Sequence, residues 1–518
     1  MATPGKKLAE SLEILRDLRE KQGNVAIKTS EISRTHRERL IKNGFLQEVS
    51  KGWYLASNPN EPAGSSTNWY TSYWQFCSRY LDDRYGQDYC ISAEQSISLH
   101  SGISSVPRQL LIRAPKAPNL VIHLLHSTSL FVMKSPLPVS AEIILINGIR
   151  MLTLPSALIH CSKIMFKKSP IEMRTVLTLI KDSAEILGQL LNGSHTVIAG
   201  RLAGAFRNNG QERIADDIVK VMKSAGFNIR ETDPFESEPL IELSFIERSP
   251  YANRIKLMWN QMREVVINHF PDAPGLPKDQ GKYLKSVDEI YVTDAYHSLS
   301  IENYVVSAEL IKKVRSGEWD LSNNEEDRKH RDTMAARGYW LATQAVKESI
   351  RKVLGGDNSG IIAKREHVDW YRELFAPSVT TGLLKPSDLA GYRTNQVYIA
   401  QSMHVPLNKD AVRDAMPILF ELLETEISAA VRSVLGHFIF VYIHPYMDGN
   451  GRMARFLMNV MLASGGYPWT VIPLQARNIY MSSLEKASVD GDIYPFTEFI
   501  ANLVNESLRG NPVAKVTD

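Results

Sequence analysis

The sequence predicts a mainly α-helical protein that carries an α+β region in its first half. Apolar residues at helical spacing dominate the second half, whereas strand-like runs such as RQLLIRA, LVIHLLH and AEIILING are confined to the first half. The chain has 518 residues, of which 44% are hydrophobic and 23% are charged. These values are typical of a globular protein with about three domains, each able to bury its own core.

Charge and cysteine usage narrow the class of protein. The formal net charge is only +3, so any nucleic-acid surface has to be a local patch. The cysteines Cys77, Cys90 and Cys161 are odd in number and form no CxxC pair. This argues against a disulfide framework or a zinc site and fits a reducing cytoplasm. Because no run of about 18 apolar residues occurs, we expect a cytoplasmic protein without a membrane span.

The first predicted domain, residues 1–58, has the element order of a winged helix-turn-helix. A helix with regularly spaced leucines is followed by a short helix over Thr29–Ser33 and by a basic helix that stops at Gly44. A small hairpin with Lys51 and Gly52 at its turn completes the pattern.

The basic helix of this domain suggests two kinds of partner. Its side chains Arg34, Arg37 and Arg39 suit DNA phosphates and base edges in a major groove. The alternative is a solvated basic face on a domain that binds other proteins, since a fold alone does not fix a function. Both interpretations stay open at the level of sequence.

The second predicted domain, residues 68–235, is α+β and contains no catalytic cluster. Its pattern SAEQSISLHSGI…TLPSALIHC, following the winged helix, resembles the antitoxins of abortive-infection toxin–antitoxin systems. We interpret His100 and His160 as structural residues, because neither has a neighbouring Cys, His or Asp at metal-ligand spacing.

The third predicted domain, residues 240–510, is strongly helical, and the twelve residues HPYMDGNGRMAR at 444–455 stand out within it. A long apolar helix ends just before His444, and Pro445 prevents its continuation. The following DGNG is a turn composition, and a new apolar helix starts directly after it. Gly451 therefore lies at a helix N-terminus, where backbone N–H groups and the helix dipole favour an anion.

The side chains of this stretch suit chemistry at a nucleotide phosphate. Arg452 and Arg455 lie three residues apart on one helix face and fit a polyphosphate. The single carboxylate of Asp448 suits Mg²⁺, which takes one or two protein carboxylates together with phosphate oxygens. His444 can act as the general base for a hydroxyl that attacks phosphorus. A chance histidine beside a glycine-rich connector is the alternative, and it leaves most of these positions without a reason.

HPYMDGNGRMAR resembles the HPFx(D/E)GNGRxxR signature of Fic-family enzymes and departs from it only in Tyr446 for Phe. The resemblance extends over about residues 240–510. It implies a helical Fic domain with a β-hairpin flap that transfers AMP from ATP to a Ser, Thr or Tyr hydroxyl of a target protein, with magnesium as cofactor. The branch of this superfamily that phosphorylates its target lacks the GNG turn, so GNGR favours nucleotidyl transfer.

The resemblance also implies a role for each matching residue. His444 would deprotonate the target hydroxyl and Asp448 would hold Mg²⁺. Nucleotide phosphates would be bound by Gly449, Asn450, Gly451, Arg452 and Arg455, and Tyr480 would lie near the adenine. A hairpin around Gln396–His404 would align the target by adding a strand; its docking residues would be Gln396, Val397, Tyr398 and Ile399.

A second motif lies upstream, in the sequence HSLSIENYVV at 297–306. Ser298 and Glu302 are four residues apart and share a helix face, which by itself is typical of a solvated pair. The stretch resembles the inhibitory (S/T)xxxE(G/N) motif of the Fic family, on a helix near 288–306. The resemblance implies that Glu302 pairs with Arg455 and represses the enzyme.

Two other functions remain open. The chain could be a transcriptional or antitoxin-like regulator that uses its Fic domain as a nucleotide sensor, although sensing needs no base at His444. It could also remove AMP from a target with the help of Glu302. The adenylyltransferase interpretation includes the protein itself as a possible target, and a homodimer is a possible assembly.

Overall fold

The computed structural model describes residues 3–20, 26–59, 66–103, 105–235, 249–316, 327–389 and 391–515. The chain divides into two compact units. The N-terminal unit comprises residues 1–250 and 398–405, and the C-terminal unit comprises residues 251–397 and 406–518. Residues 1–58 and 68–235, predicted to form a winged helix-turn-helix and an α+β domain, both fall in the N-terminal unit. The predicted boundary at 240 lies outside the described residues, so the three-domain division stays a prediction.

The first elements of the N-terminal unit include the predicted helices and hairpin, together with a strand over Ala26–Lys28 that was not predicted. Their short three-stranded antiparallel sheet has the strand order β1-β3-β2, and the second predicted helix is a single 3₁₀ turn over Thr29–Glu31. Gly52 adopts a φ of 81° at the hairpin turn, a conformation that glycine enters without strain. The elements are α1 (Pro4–Glu20), β1 (Ala26–Lys28), α2 (Arg34–Lys42), β2 (Leu46–Ser50) and β3 (Trp53–Ala56).

The rest of the N-terminal unit mixes helices with short strands. A four-stranded sheet has the order β4-β5-β7-β6, in which β5 and β7 are parallel, and β8 and β9 form a separate antiparallel pair. The strands are β4 (Cys90–Ile91), β5 (Gln109–Ala114), β6 (Leu120–His123), β7 (Ser129–Lys134), β8 (Ile143–Ile146) and β9 (Ile149–Leu152). The helices are α3 (Thr67–Tyr85), α4 (Ala93–His100), α5 (Leu154–His160), α6 (Ile164–Lys168), α7 (Pro170–Leu179), α8 (Ala184–Asn192), α9 (Thr196–Asn208) and α10 (Glu212–Ser224).

The C-terminal unit is helical in its described residues apart from loops and single 3₁₀ turns. Several helices begin with a side chain that caps the first free N–H groups, as Asn358, Asn408 and Ser428 do. The helices are α11 (Pro250–His269), α12 (Gln280–Ile301), α13 (Ala308–Ser316), α14 (Asp327–Leu354), α15 (Ser359–Thr380), α16 (Lys409–Thr425), α17 (Ala429–Ile443), α18 (Asn450–Ala463), α19 (Arg477–Val489) and α20 (Tyr494–Leu508). Over the described part of the chain, no helix is long and apolar enough to cross a membrane.

The predicted flap around Gln396–His404 is not a β-hairpin, since the described residues between 391 and 408 contain no paired strand. In this segment, side chains donate hydrogen bonds to backbone carbonyls that would accept from a partner strand in a hairpin. The Gln396 amide donates to the Pro406 carbonyl at 2.8 Å, and the Arg393 guanidinium donates to Asn395 and Leu407. Pro406 itself has no N–H to give to a strand ladder. Sequence alternation alone therefore overstated the regularity of this segment.

Close packing of α14 against α15 gives a test of this helical body. A Cβ added to Gly338 would overlap the carbonyl oxygen of Leu374, so Gly338→Ala must push the two helices apart. We expect a loss of about 1–3 kcal/mol in the free energy of unfolding.

Gly188 in α8 is the matched control, because nothing lies within 4 Å of a Cβ added there. Gly188→Ala should stabilise its helix by up to about 1 kcal/mol. Thermal unfolding of both variants checks the pair, and an unchanged midpoint for Gly338→Ala would contradict the packing.

Candidate active site

The predicted base lies at an abrupt helix end. The described side chains of α17 are almost all buried up to Ile443, and His444 then takes a left-handed conformation with a φ of 55°. Its N–H still donates to the Phe440 carbonyl at 2.9 Å, which closes the last helical turn. The next helix begins at Asn450, after Gly449 with a φ of 82°. Two positive φ values thus reverse the chain within six residues.

Hydrogen bonds from Arg393 hold this chain reversal in place, and no sequence pattern pointed to this residue. The Arg393 side chain is 2% exposed and donates from Nε to the His444 carbonyl at 2.7 Å. Its own N–H donates to the Pro445 carbonyl at 2.9 Å. Burial lowers the pKa of Arg393 to about 10, so the guanidinium remains charged at neutral pH. No local spacing linked Arg393 to a stretch about fifty residues later, so only the fold reveals it.

The Asn450 side chain bonds both backbone groups of Tyr446 within the turn. Its Oδ1 accepts from the Tyr446 N–H at 2.9 Å, and its Nδ2 donates to the Tyr446 carbonyl at 2.8 Å. The Tyr446 ring is fully buried and stacks on Tyr371 with ring centroids 3.8 Å apart. The Asn450 amide therefore holds the shape of the loop. Binding of nucleotide phosphates at Asn450 stays a prediction.

Neighbouring side chains lie where a Cβ would be at either glycine of the GNG turn. A Cβ on Gly449 would lie 2.7 Å from the Phe375 ring, in addition to its left-handed backbone. A Cβ on Gly451 would overlap Oε1 of Glu302. The space above the first turn of α18 is therefore taken by a carboxylate of the same chain.

His444 has the protonation state that a base needs. Its Nδ1 lies 3.3 Å from the Val441 carbonyl, and a carbonyl can only accept, so Nδ1 carries the proton and Nε2 is left with a lone pair. Burial lowers the pKa of His444 to about 4, and the charge of Arg393 acts in the same direction. The imidazole is therefore neutral at pH 7.

Asp448 is the exposed carboxylate of the site. Its side chain is 63% exposed, accepts from the Gly449 N–H at 2.6 Å and lies 3.3 Å from Arg452. Within the described ranges, no group of three or more His, Cys, Asp or Glu side chains could hold a metal by itself. A single exposed carboxylate still fits Mg²⁺ that arrives with nucleotide phosphates, because such an ion keeps most of its ligands from water and phosphate.

The two arginines of α18 are both buried, in different surroundings. Arg452 is 1% exposed, and its guanidinium lies 5.0 Å from the ring centroids of Tyr304 and Phe375. Arg455 is 3% exposed and donates from Nε to Ser298 Oγ at 2.9 Å and from Nη2 to Glu302 Oε1 at 2.8 Å. The predicted pair between Arg455 and Glu302 is present and is made by one hydrogen bond. The other edge of the guanidinium is bound by Ser298.

The end of α12 aims Glu302 at this arginine. Asn303 has a φ of 64°, and its N–H donates to Ser300 while the Tyr304 N–H donates to Leu299 at 3.1 Å. This is the Schellman arrangement that ends many helices, in which glycine or asparagine takes the left-handed position. The E(G/N) pair of the motif thus has a backbone reason: the residue after the glutamate must be able to enter a positive φ.

Tyr480 is enclosed by other side chains of the protein. It is 1% exposed, its hydroxyl lies 2.8 Å from Nε2 of His437, and its ring packs near Phe496 and Phe499. Its place near the adenine stays a prediction. Burial raises the pKa of Tyr480 to about 12.

The helical body carries a neutral histidine at a helix end, a glycine turn, and two buried arginines on the next helix. Residues 364–462 match the model of the Fic/DOC family, so this part of the chain is a Fic domain.

The chain is similar to curated proteins named protein adenylyltransferase Fic. It is 28% identical over 235 residues to the protein of Drosophila yakuba, which covers 45% of this chain and 44% of the relative. It is 30% identical over 224 residues to that of Drosophila willistoni, covering 42% and 41%. The chain thus spans less than half the length of these relatives. The solved structure of Fic-1 from C. elegans aligns at 17% identity with a TM-score of 0.37, over 69% of this chain and 87% of that one.

The helix end at Asn303 gives a direct test of how Glu302 is presented. Asn303→Ala forces a side chain without a local hydrogen-bonding group into the left-handed region, at a cost of about 1–2 kcal/mol. Asn303→Gly keeps that conformation without strain and is the matched control. Denaturant unfolding should therefore rank Asn303→Ala below both the wild type and Asn303→Gly, and equal stability of the two variants would contradict the geometry.

Proposed function

We propose that this protein is an adenylyltransferase that transfers AMP from ATP to a Ser, Thr or Tyr hydroxyl of a target protein, and that Glu302 inhibits it. The observation that carries the proposal is the arrangement on α18: a neutral His444 faces a glycine turn whose neighbouring cation, Arg455, is 2.8 Å from Glu302. The similarity to proteins named protein adenylyltransferase Fic supports the reaction class.

In this reaction Nε2 of His444 takes the proton of the target hydroxyl as its oxygen attacks the α-phosphorus of ATP. The bond from the α-phosphorus to the bridging oxygen breaks, and pyrophosphate leaves. Arg452 and Arg455 neutralise phosphate charge in a site where burial strengthens that effect. Magnesium bound at Asp448 would supply further charge neutralisation on the phosphates.

Inhibition follows because two anions, the Glu302 carboxylate and a phosphate of ATP, compete for the same space. The Glu302 carboxylate sits over Gly451 at the start of α18 and hydrogen-bonds to Arg455. A terminal phosphate of ATP would be attracted to the same helix N-terminus and the same guanidinium. With Glu302 in place, the nucleotide is displaced from its reactive position, and errors of about 1 Å can cost about a hundredfold in rate.

Substitution of Glu302 tests both claims. With labelled ATP, Mg²⁺ and a cell lysate, Glu302→Ala should label proteins about a hundredfold more strongly than the wild type, because Arg455 becomes free for phosphate. Glu302→Ala/His444→Ala should lose at least about a hundredfold of that labelling with the base. The measurement is incorporation of AMP into protein, read by mass spectrometry.

Glu309→Ala, which removes an exposed carboxylate on α13, is the control and should behave as the wild type. Equal labelling by all four proteins would sink both the base and the inhibition. Release of AMP from a pre-modified target by the wild type, lost in Glu302→Ala, would instead favour AMP removal as the activity. A cellular phenotype that survives His444→Ala would favour a nucleotide sensor.

Target alignment by Gln396, Val397, Tyr398 and Ile399 remains part of the proposal in a modified form. This segment has no strand partner among its described neighbours, and Gln396 is exposed. An extended target peptide could pair with such backbone, although the Gln396 amide already donates to the carbonyls of Val397, within the segment, and of Pro406, beyond it.

DNA binding by α2 is a separate part of the proposal, and the structure narrows its candidates. Arg39 donates to the Lys7 carbonyl at 2.6 Å and to Ser11 at 2.8 Å, so it ties α2 to α1. Arg34 is exposed and bonds Glu38 at 2.7 Å, while Arg37 lies over the Tyr54 ring. Arg34 and Arg37 are therefore the two residues that a phosphate backbone would meet.

Arg34→Ala/Arg37→Ala tests this surface. If α2 binds DNA, this pair should weaken duplex binding at low salt and reduce the slope of log K against log salt by about 1–2. Arg16→Ala/Arg19→Ala removes the same charge from the exposed face of α1 and serves as control. Identical filter-binding curves for both double variants, or no binding by the wild type, would retire the DNA proposal.

A further inference from the structure

A second carboxylate on α12 lies inside the protein near the arginine that Glu302 binds. Asp294 is 4% exposed and accepts a 2.6 Å hydrogen bond from the Tyr339 hydroxyl of α14. It stands one helical turn before Ser298, and Ser298 stands one turn before Glu302. The three polar residues share one face of α12.

Contacts link this carboxylate to Arg455 from two sides. Ser298 accepts from Arg455 through both its hydroxyl, at 2.9 Å, and its carbonyl, at 3.0 Å. Tyr339, bound to Asp294, packs its ring on Phe456, the residue after Arg455, with centroids 4.9 Å apart. Ser298 thus bonds Arg455 directly, and Asp294 and Tyr339 lie close enough for the charge of Arg455 to act on both.

Electrostatics support the link. Burial raises the pKa of Asp294 to about 6, while the hydrogen bond from Tyr339 and the positive charge of Arg455 oppose that rise. The interaction favours the ionised carboxylate, so Asp294 is negative at neutral pH. A buried guanidinium is costly without a counter-charge, and Arg455 would keep this one if Glu302 were withdrawn.

We propose that Asp294 is a positioning residue for nucleotide binding: with Tyr339 and Ser298 it holds Arg455 in place when Glu302 leaves. Asp294 and Glu302 then have separate tasks. Glu302 is the removable partner that blocks Arg455, and Asp294 is the permanent partner that keeps it aimed at the phosphates. The inference rests on the proposed function, because it takes ATP as the ligand of Arg455.

The test uses the full chain with Glu302→Ala and measures the ATP dissociation constant by calorimetry with Mg²⁺ present. Adding Asp294→Asn should weaken ATP binding about tenfold at pH 7.5, the size expected when a charge-assisted contact is lost. Asp288→Asn is the matched control, since Asp288 lies on the same helix and pairs with Lys347 of α14 at 2.5 Å, away from Arg455. It should change the constant by less than about twofold.

A pH series separates positioning from a merely structural role. In the Glu302→Ala protein, ATP binding should weaken as the pH falls through about 6, because Asp294 then gains a proton; with Asp294→Asn this component should vanish. The groups that face Asp294 are Tyr291 on its own helix, Tyr339 on α14 and Arg455 on α18, and none of them titrates between pH 5 and 8. Nearby His297 and His437 have pKa values lowered by burial and are also neutral above pH 7.

Equal ATP affinity for the Asp294→Asn and Asp288→Asn proteins, or an identical pH dependence with and without Asp294, would overturn the inference. If Asp294→Asn does not fold, Tyr339→Phe replaces it, with an expected loss of about threefold in ATP affinity from one hydrogen bond; no loss would overturn the inference too. ATP binding without AMP transfer by Glu302→Ala would overturn the proposed function alone. Absence of ATP binding in that protein would overturn both.

Discussion

The reversal of the chain between α17 and α18 is the constraint on which the candidate site depends. A helix whose side chains are almost wholly buried has to stop at His444, and the next buried helix has to start at Asn450. Side chains bond the backbone groups of His444 and Tyr446 within that gap. Arg393 binds the carbonyl of His444, and Asn450 binds both backbone groups of Tyr446. The base and the helix N-terminus are fixed by the same few bonds.

A second helix end complements the first. At the end of α12, a Schellman arrangement at Asn303 delivers Glu302 to the space that Gly451 leaves open. The glycine turn thus has a double purpose: it permits a left-handed backbone, and it admits an anion close to the first turn of α18. Whether that anion belongs to the protein or to a nucleotide decides, in our proposal, whether the site is at rest or active.

The sequence predicted much of this site because its decisive features are local. Pro445, the two glycines and the spacing of Arg452 and Arg455 reveal a helix break and a basic helix start without tertiary information. Arg393 could not be found in this way, since its partners lie about fifty residues later. The surroundings of Tyr480 and of the flap could not be predicted for a related reason. The Tyr480 hydroxyl meets His437 of α17, and the Gln396 amide bonds the Pro406 carbonyl ten residues further along the chain.

The N-terminal region shows the same division between local pattern and tertiary contact. The helices and the β2–β3 hairpin up to residue 59 follow the predicted order, because turn residues and apolar spacing are properties of neighbours in sequence. Strand β1 was not predicted, since it depends on pairing with the distant strand β3. The use of each arginine on α2 is a property of the fold. Arg39 faces α1, and the composition of α2 alone could not distinguish its role from that of Arg34 or Arg37.

Burial of the pair between Arg455 and Glu302 has a consequence for how the site could be controlled. The Arg455 side chain is 4% exposed and that of Glu302 27%, so mobile ions reach the contact poorly. Screening acts on exposed charges beyond about 8–10 Å and little on a buried pair. Ordinary changes in cellular ionic strength would therefore leave the pair intact. Release of Arg455 from Glu302 therefore requires a specific event. Either α12 moves, or a competing anion occupies the same space.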